Sequence, residues 1–439
     1  MRARGLSEAA IGAFKGNFDQ LVAGATGMVP EEEIEAVTDL PDLRSLAGTN
    51  GHVQALLKKT AVLKLNGGLG TSMGLEKAKS LLEVKDGKTF LDLIAEQVKV
   101  MRQQHGSDVK FVLMNSFSTS EDTREFLARA HKDLLQEPDI ELLQNMSPKV
   151  DAASFAPASY PQDPEMECPP GHGDIYPSLL GSGMLDSLAS QGIKYLFVSN
   201  SDNLGATLDL QLLQHFASCE AAFMMEVCER TAADKKGGHL ARRKVDGKLM
   251  LRESAMCPDA DKASFEDISR HKYFNTNNLW VNLPALKATL DANGGVLPLP
   301  LIKNKKTVNP RDSSSAPVFQ LETAMGSAIE CFDSATAVVV PRSRDLFVLR
   351  SDVYIITPQA TVEAVSAHVP LVKLDDAYYK LVDKLERLTK AAPSLRACKS
   401  LTVKGPVRFG EGVVISGKHT VKEPEVPRVS DGAPVPAFA

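Results

Sequence analysis

Ala61-Val-Leu-Lys-Leu-Asn-Gly-Gly-Leu-Gly-Thr-Ser-Met-Gly-Leu-Glu-Lys-Ala-Lys-Ser80 is the stretch on which the fold turns. Residues 61–66 form an apolar run of strand length, and glycines follow at once. A glycine-rich turn at the carboxyl end of a strand is where open α/β sheets bind ligands. Gly67, Gly68, Gly70 and Gly74 remove the side chains that would keep a phosphate from the backbone N–H groups, and they admit the positive φ angles of a cradle. Asn66 and Thr71 add donors, and Lys79 adds a positive charge. The spacing belongs to neither familiar phosphate loop. Counting from Gly68 and Gly70, the third glycine of the dinucleotide fingerprint falls on Met73, and Lys79-Ser80 follows Ala78 where the Walker A pattern requires glycine. A purely structural glycine turn would explain the glycines, but not the strand before them and the lysine after them.

Outward from this loop the pattern alternates. Helical spacing covers 89–104 and 119–130 around a strand at 109–115; helix 176–190, strand 194–200, helix 208–217 and strand 221–229 follow. Parallel strands crossed by helices, a doubly wound α/β sheet, are predicted. Before the loop, Ile11, Phe14, Phe18, Leu21 and Val22 predict a helix, and a second helix is expected beside Pro30. Residues 144–177 are a long Pro/Gly/Ser/Asp-rich connection, and such connections are often functional. Residues 303–317 read as irregular, 322–332 and 375–389 as helices, and 400–420, with Gly405, Gly410, Gly412 and Gly417 between β-branched pieces, as about one coil of β-helix. The proline-rich tail after Lys422 reads as disordered. The expected division is an N-terminal helical cap (1–55), a central domain (56–345) and a C-terminal domain (346–439).

Composition narrows the function. The 439 residues carry 50 basic and 55 acidic side chains, a net charge of -5, so no basic field for a polynucleotide exists and a nucleic-acid-like ligand must be small. No run has the length and apolarity of a signal or a bilayer span, which points to a cytoplasmic protein without membrane partners. Six cysteines without a CxxC pair read as buried, reduced thiols.

Four further clusters carry polar chemistry. Pro169-Pro-Gly-His-Gly-Asp-Ile-Tyr176 ends the long connection; Gly171 lets a flat base lie against backbone and His172 can donate to a phosphate oxygen, while a plain turn with Asp174 as helix cap is the alternative. Ser199-Asn-Ser-Asp-Asn-Leu-Gly-Ala206 ends an apolar strand, and a carboxylate at such a strand end, Asp202, suits a magnesium ion that shares phosphate oxygens; the alternative is an Asx turn. Tyr273-Phe-Asn-Thr-Asn-Asn-Leu-Trp280 gathers amides suited to sugar hydroxyls, or merely marks a loop. Gln144, four residues before Pro148, carries an amide with both a donor and an acceptor, unless it is an ordinary surface glutamine.

The unbroken run Lys64-Leu-Asn-Gly-Gly-Leu-Gly-Thr-Ser-Met-Gly74 followed by Lys79-Ser80 resembles the signature of the eukaryotic-type UTP–glucose-1-phosphate uridylyltransferases. The likeness runs in matching order from about Leu56 to Lys418, through the clusters above and through Asp234-Lys-Lys-Gly-Gly238, Gln320-Leu-Glu-Thr-Ala324 and Val340-Pro-Arg-Ser-Arg344. It implies a Rossmann-like, GT-A-like nucleotidyltransferase with a mixed sheet, helices on both faces and a short C-terminal β-helix. It implies transfer of UMP from UTP to glucose 1-phosphate with Mg2+, with Lys79 and Asp202 catalytic and Asp202 on the metal. The nucleotide would lie on Leu65, Asn66, Gly67, Gly68, Lys79, Gln144 and Gly171, and the sugar phosphate on His172, Asn200, Glu253, Asn277 and Asn278. Two departures stand out. Glu76 places a negative charge in the piece where the family usually has Cys-Lys-Gly-Pro, and Leu349 takes the place of a family lysine that reaches the triphosphate, leaving Arg350 as its substitute. A UDP-N-acetylhexosamine pyrophosphorylase and a nucleotide-binding regulatory protein without catalysis remain as alternatives. The shortened β-helix points to a monomer or small homo-oligomer.

Overall fold

The computed structural model describes residues 1–422 except 50, 70–76, 161–166, 232–233, 310–311, 313, 342–345, 366–367, 380–384, 386, 390–391 and 411. The centre of the glycine loop, Arg344, much of the expected 375–389 helix and the tail therefore lie outside the described residues.

The main elements are α1 (Glu8–Val22), β1 (Ile34–Ala36), β2 (Thr60–Leu65), α2 (Phe90–His105), β3 (Lys110–Asn115), α3 (Ser120–Ala130), β4 (Glu141–Leu143), α4 (Ile175–Gly181), α5 (Met184–Ser190), β5 (Tyr195–Asn200), α6 (Leu210–Ser218), β6 (Phe223–Glu229), β7 (His239–Arg243), β8 (Leu249–Arg252), β9 (Tyr273–Asn282), α7 (Leu283–Ala292), β10 (Ile302–Thr307), β11 (Pro317–Glu322), β12 (Ala335–Val339), β13 (Leu371–Lys373), β14 (Cys398–Lys404) and β15 (Gly417–Lys422). Ten strands form one mixed sheet with the path β1-β7-β9-β5-β2-β3-β4, and β6 joins β9 to β12 while β8 pairs with β7. β5, β2, β3 and β4 are mutually parallel. β9 runs antiparallel between β5 and β6, a reversal that the apolar runs alone did not reveal.

Alternation along each strand sends side chains to opposite faces. Val62, Phe111 and Phe197 pack under α2, α3 and α6, while Ala61, Leu63, Val112 and Leu196 pack under α4, α5 and α7. Thr89 caps α2 with a capping box through Asp92, and Asp209 caps α6. β2 lies between β3 and β5, so successive crossovers leave it in opposite directions. The crevice at the carboxyl ends of β2 and β5 is the topological switch point, the usual ligand site of such sheets.

Several expected elements differ. Pro30 opens a 3-10 turn, Glu31–Glu33, that leads into edge strand β1 and not into a helix. The expected 176–190 helix is two helices, broken where Gly183 takes φ 78°, a conformation open to glycine. Residues 302–307 are a strand: Lys303, Lys305 and Lys306 are polar because β10 is the edge of a small sheet, β10-β11 plus Val150–Asp151, and edge lysines discourage further pairing. The chain remains extended to Glu322 and then forms a 3-10 helix, Met325–Cys331, in place of the expected 322–332 helix. β13, β14 and β15 form a three-stranded parallel sheet. None of the six cysteines forms a disulfide; Cys168, Cys228 and Cys398 are buried but Cys219 is exposed, which the apolar runs did not anticipate. Among the described residues no helix is long and apolar enough to cross a membrane.

Candidate active site

The glycine loop leaves β2 and is pinned at both ends. Ser116 Oγ donates to the Gly67 carbonyl at 2.8 Å, Lys79 N donates to the Gly68 carbonyl at 3.2 Å, and Leu69 bridges Ala78. Among the described residues a Cβ on Gly68 would meet nothing within 4 Å. From the loop's far end Lys79 reaches across the crevice, and its Nζ pairs with Asp202 Oδ2 at 2.8 Å. Both side chains are about a third exposed, at 35% and 34%. The expected phosphate-holding lysine and metal-holding carboxylate thus face each other across the switch point.

On one side of this pair lie Gln144, Gly171 and His172. Gln144 Nε2 donates to the Gly171 carbonyl at 2.9 Å, and its Oε1 lies where a Cβ on Gly67 would come within 2.8 Å. Gly171 has φ 81°, and a Cβ there would sit 2.5 Å from the Thr323 carbonyl. The visible reason for this glycine is therefore the close approach of the Gln320-Leu-Glu-Thr-Ala324 backbone. His172 Nδ1 accepts from Met325 N at 2.9 Å, so the ring proton sits on Nε2. The ring surface is exposed, yet the protein crowding round it pushes its pKa down to about 4, and the neutral ring is a donor at pH 7. Asp174 does not cap α4. Its buried carboxylate accepts from Asn145 N at 2.7 Å and from Ser178 Oγ at 2.8 Å, and burial pushes its pKa up to about 6.

On the other side lie the amides of β5 and β9. Asn277, at φ 62°, sits beside a register shift in the β6–β9 ladder, and its Nδ2 donates to Asn200 Oδ1 at 2.8 Å. Asn278, expected to face sugar, is only 4% exposed. Its Nδ2 donates to Glu226 Oε2 at 2.9 Å and its Oδ1 accepts from Asn203 Nδ2 at 3.3 Å, so both ends of the amide serve the protein. Trp280 Nε1 donates to Glu226 Oε1 at 2.8 Å. Burial raises Glu226 to about 7 and lowers Lys64, also buried, to about 7. Glu253 lies at the end of β8 with its carboxylate against Gly238, where a Cβ would come within 2.5 Å of Oε2; burial raises its pKa.

Two expected contacts are redirected. Asn66 points inward: its Nδ2 donates to Asn115 Oδ1 at 2.7 Å and to Thr123 Oγ1 at 2.9 Å, which leaves the loop no side-chain donor from this residue. Leu349 is buried in the main apolar cluster, and Arg350 beside it donates to the Glu83 carbonyl at 2.6 Å, so the structure turns its guanidinium to backbone. Leu65 contributes its carbonyl to Ser201 N at 3.1 Å, stitching the two strand-end loops together. Ser116, Thr323 and Glu226 escaped sequence reading because their signal is a long-range partner, not a local pattern.

For a cation the chemistry of the donor set is sparse. Among the described residues no cluster of three His, Cys, Asp or Glu could hold a metal, and Asp202 is a single carboxylate already paired with an ammonium. One carboxylate suits Mg2+, which binds through one or two carboxylates plus substrate phosphates.

Residues 11–416 match the family described as UTP–glucose-1-phosphate uridylyltransferase. The chain belongs to that family. Curated members from Solanum tuberosum and Musa acuminata, each named UTP–glucose-1-phosphate uridylyltransferase, are 40% and 39% identical over 402 and 393 residues, covering 88% and 86% of this chain and 82% of each relative. A variant UDP-glucose pyrophosphorylase from Leishmania major, solved in complex with UDP-glucose, superposes with a TM-score of 0.93 at 46% identity, covering 99% of this chain and 96% of that one. In this member of the family Lys79 and Asp202 face each other across the crevice at the ends of β2 and β5.

Proposed function

We propose that the chain transfers UMP from UTP to α-D-glucose 1-phosphate, giving UDP-glucose and pyrophosphate. The observation that carries this reading is the Lys79–Asp202 pair across the switch point of a family member's sheet. A sugar 1-phosphate is mostly dianionic at pH 7, with a second pKa of about 6, so the nucleophile needs no strong base. One of its phosphate oxygens forms a bond to the α-phosphorus of UTP while the bond to the bridging oxygen breaks and pyrophosphate leaves in line; no covalent enzyme intermediate arises.

The protein's part is positioning and charge neutralisation. Gln144 Oε1 accepts from uracil N3–H above Gly67. Lys79 would move from Asp202 to the triphosphate, and Asp202 would be the residue to hold Mg2+. When bound, the ion would neutralise phosphate charge. His172 donates from Nε2 to a phosphate oxygen. Asn200, Asn277 and Glu253 take the sugar phosphate, with Asn278 bracing from behind. Arg350 reaches the triphosphate only if it leaves Glu83. The same reading includes a GT-A-like, Rossmann-like core at 56–345, a cap at 1–55, a C-terminal domain at 346–439 with a β-helix coil, a monomer or small oligomer, and a cytoplasmic location that suits six cysteines without a disulfide.

Pyrophosphate release with UTP and a panel of sugar 1-phosphates tests the proposal. Release with glucose 1-phosphate supports it. Release with N-acetylglucosamine 1-phosphate alone would assign the chain to the hexosamine branch, and release with none would leave a nucleotide-binding protein without catalysis.

A further inference from the structure

We infer that Lys64 and Glu226 are positioning residues for the strand-end loop that carries Asn200 and Asp202, holding it from beneath and touching no substrate. Lys64 opens the glycine motif, yet it is only 2% exposed and its side chain lies in the core, away from the loop it introduces. Its Nζ donates to Ser199 Oγ at 2.7 Å and to the Ala206 carbonyl at 2.6 Å. Those acceptors are the two ends of Ser199-Asn-Ser-Asp-Asn-Leu-Gly-Ala206, so one ammonium closes the loop like a clip. Glu226 provides a second hold. It fixes the Asn278 amide, whose other end receives Asn203, the residue after Asp202, and it secures the Trp280 indole beside it. The two buried charges attract each other.

An ammonium taken out of water carries a heavy desolvation cost, and a buried ion pair is weak evidence of stability. An apolar side chain at position 64 would pack in the sheet without that cost. What it could not do is bind both ends of the loop that sets Asn200 and Asp202 at the crevice opposite Lys79. Misplacement by about 1 Å lowers rates on the order of a hundredfold.

The inference rests on the uridylyltransferase reading, and its test separates the two. Lys64→Met alone leaves Glu226 buried without a counter-charge and should melt well below the wild type. Lys64→Met with Glu226→Gln removes both charges and should recover only the part of that loss that comes from the uncompensated charge, because the Ser199 and Ala206 acceptors stay without their donor and Gln accepts from only one of Asn278 and Trp280. In the double variant kcat should still fall about tenfold or more while KM for UTP changes less than about threefold, because the glycine loop and Gln144 are untouched. Amide hydrogen exchange should quicken at residues 200–206 and not in β2 or β3. In Glu226→Gln, which keeps the clip, the quickening should centre on Asn203. A folded double variant with wild-type kcat and wild-type exchange in 200–206 overturns the inference. Absence of pyrophosphate release by the wild type sinks the uridylyltransferase reading instead, and the exchange pattern still decides whether Lys64 clips the loop.

Discussion

On the Gln144 side of the crevice, neighbouring segments approach closely because glycines present no side chain. Gly171 lies against the Thr323 carbonyl, Gly173 against the same residue, and Gly67 beneath Gln144. On the Asn277 side, polar side chains do the joining: Asn277 holds Asn200, Asn278 holds Asn203, and Glu226 holds Asn278 and Trp280. The two sides therefore fail differently. On the first the damaging change is an added carbon; on the second it is a removed polar atom, because a buried donor or acceptor then loses its partner. The Lys79–Asp202 pair spans both sides and belongs to neither.

Removing that span should have the largest effect on turnover. Lys79→Ala should lower kcat by roughly three orders of magnitude, as the loss of a charge contact made in the transition state does. Stability should barely move, since exposed pairs contribute about 0–1 kcal/mol. Steady-state pyrophosphate release and a thermal melt check both halves; near-normal turnover would falsify the role given to Lys79.

Gly171→Ala tests the steric side. The positive φ costs about 1–2 kcal/mol for a residue with a Cβ, and the contact with Thr323 adds to it, so denaturant unfolding should show a loss of about 2–4 kcal/mol. KM for UTP should rise with it. Gly68→Ala is the matched control: its Cβ meets none of the described residues within 4 Å, and stability should stay within about 0.5 kcal/mol of wild type. Equal losses at the two glycines would dissolve the steric account.

Asp174 is a buried titratable group on the steric side, and it makes pH a probe. Its carboxyl titrates at about 6 when folded and near 3.8 in its ordinary range. Between those values the folded chain keeps a proton that the unfolded chain has lost, so this group's contribution to stability is full below pH 3.8 and is lost as pH rises through about 6. Relative to Asp174→Asn, the wild type should lose up to about 3 kcal/mol between pH 4 and pH 7. A difference that does not change with pH would show that Asn145 and Ser178 already hold the carboxylate as well as water does.

Trp280→Phe probes the polar side. It keeps most of the ring packing against Phe197 but leaves Glu226 Oε1 without its donor, and should cost about 1–3 kcal/mol. KM for glucose 1-phosphate should rise more than KM for UTP. A larger shift in the UTP constant would mean that the two sides are not separable.

How much of this was legible in sequence follows the same division. The strands β2 and β5 and the placing of Lys79 and Asp202 at their carboxyl ends were readable because their pattern is local: an apolar run, a break in side chains, a charge at a fixed offset. The capped helices α2 and α6 were readable for the same reason. What escaped was set by distant partners. Strand β10 looked irregular because its lysines line an edge, the strand character of β9 stayed open because its asparagines suit a sugar or a loop equally, and Asn278 looked sugar-facing because Glu226 lies 52 positions away. Leu349 read as a missing lysine and is a core residue. In each case tertiary pairing overrode a local signal.

Ser116 shows how small an unseen contact can be and still matter. It sits just past the end of β3, buried at 2%, and its hydroxyl donates to the Gly67 carbonyl while its N–H is taken by Thr119 Oγ1. It thereby fixes the first glycine of the cradle from the neighbouring strand. Ser116→Ala leaves one carbonyl without a donor, and the expected loss is about 1 kcal/mol, at the ordinary value of a single hydrogen bond. Because the freed carbonyl belongs to the loop, the effect should appear as a rise in KM for UTP of about two- to fivefold with kcat little changed. Ser116→Thr keeps the hydroxyl and should restore KM if the extra methyl is accommodated beside Thr119. A kcat loss in Ser116→Ala with KM unchanged would place the hydroxyl's influence on the reacting geometry, and the steric side of the crevice would then depend on side-chain hydrogen bonds in the same way as the polar side.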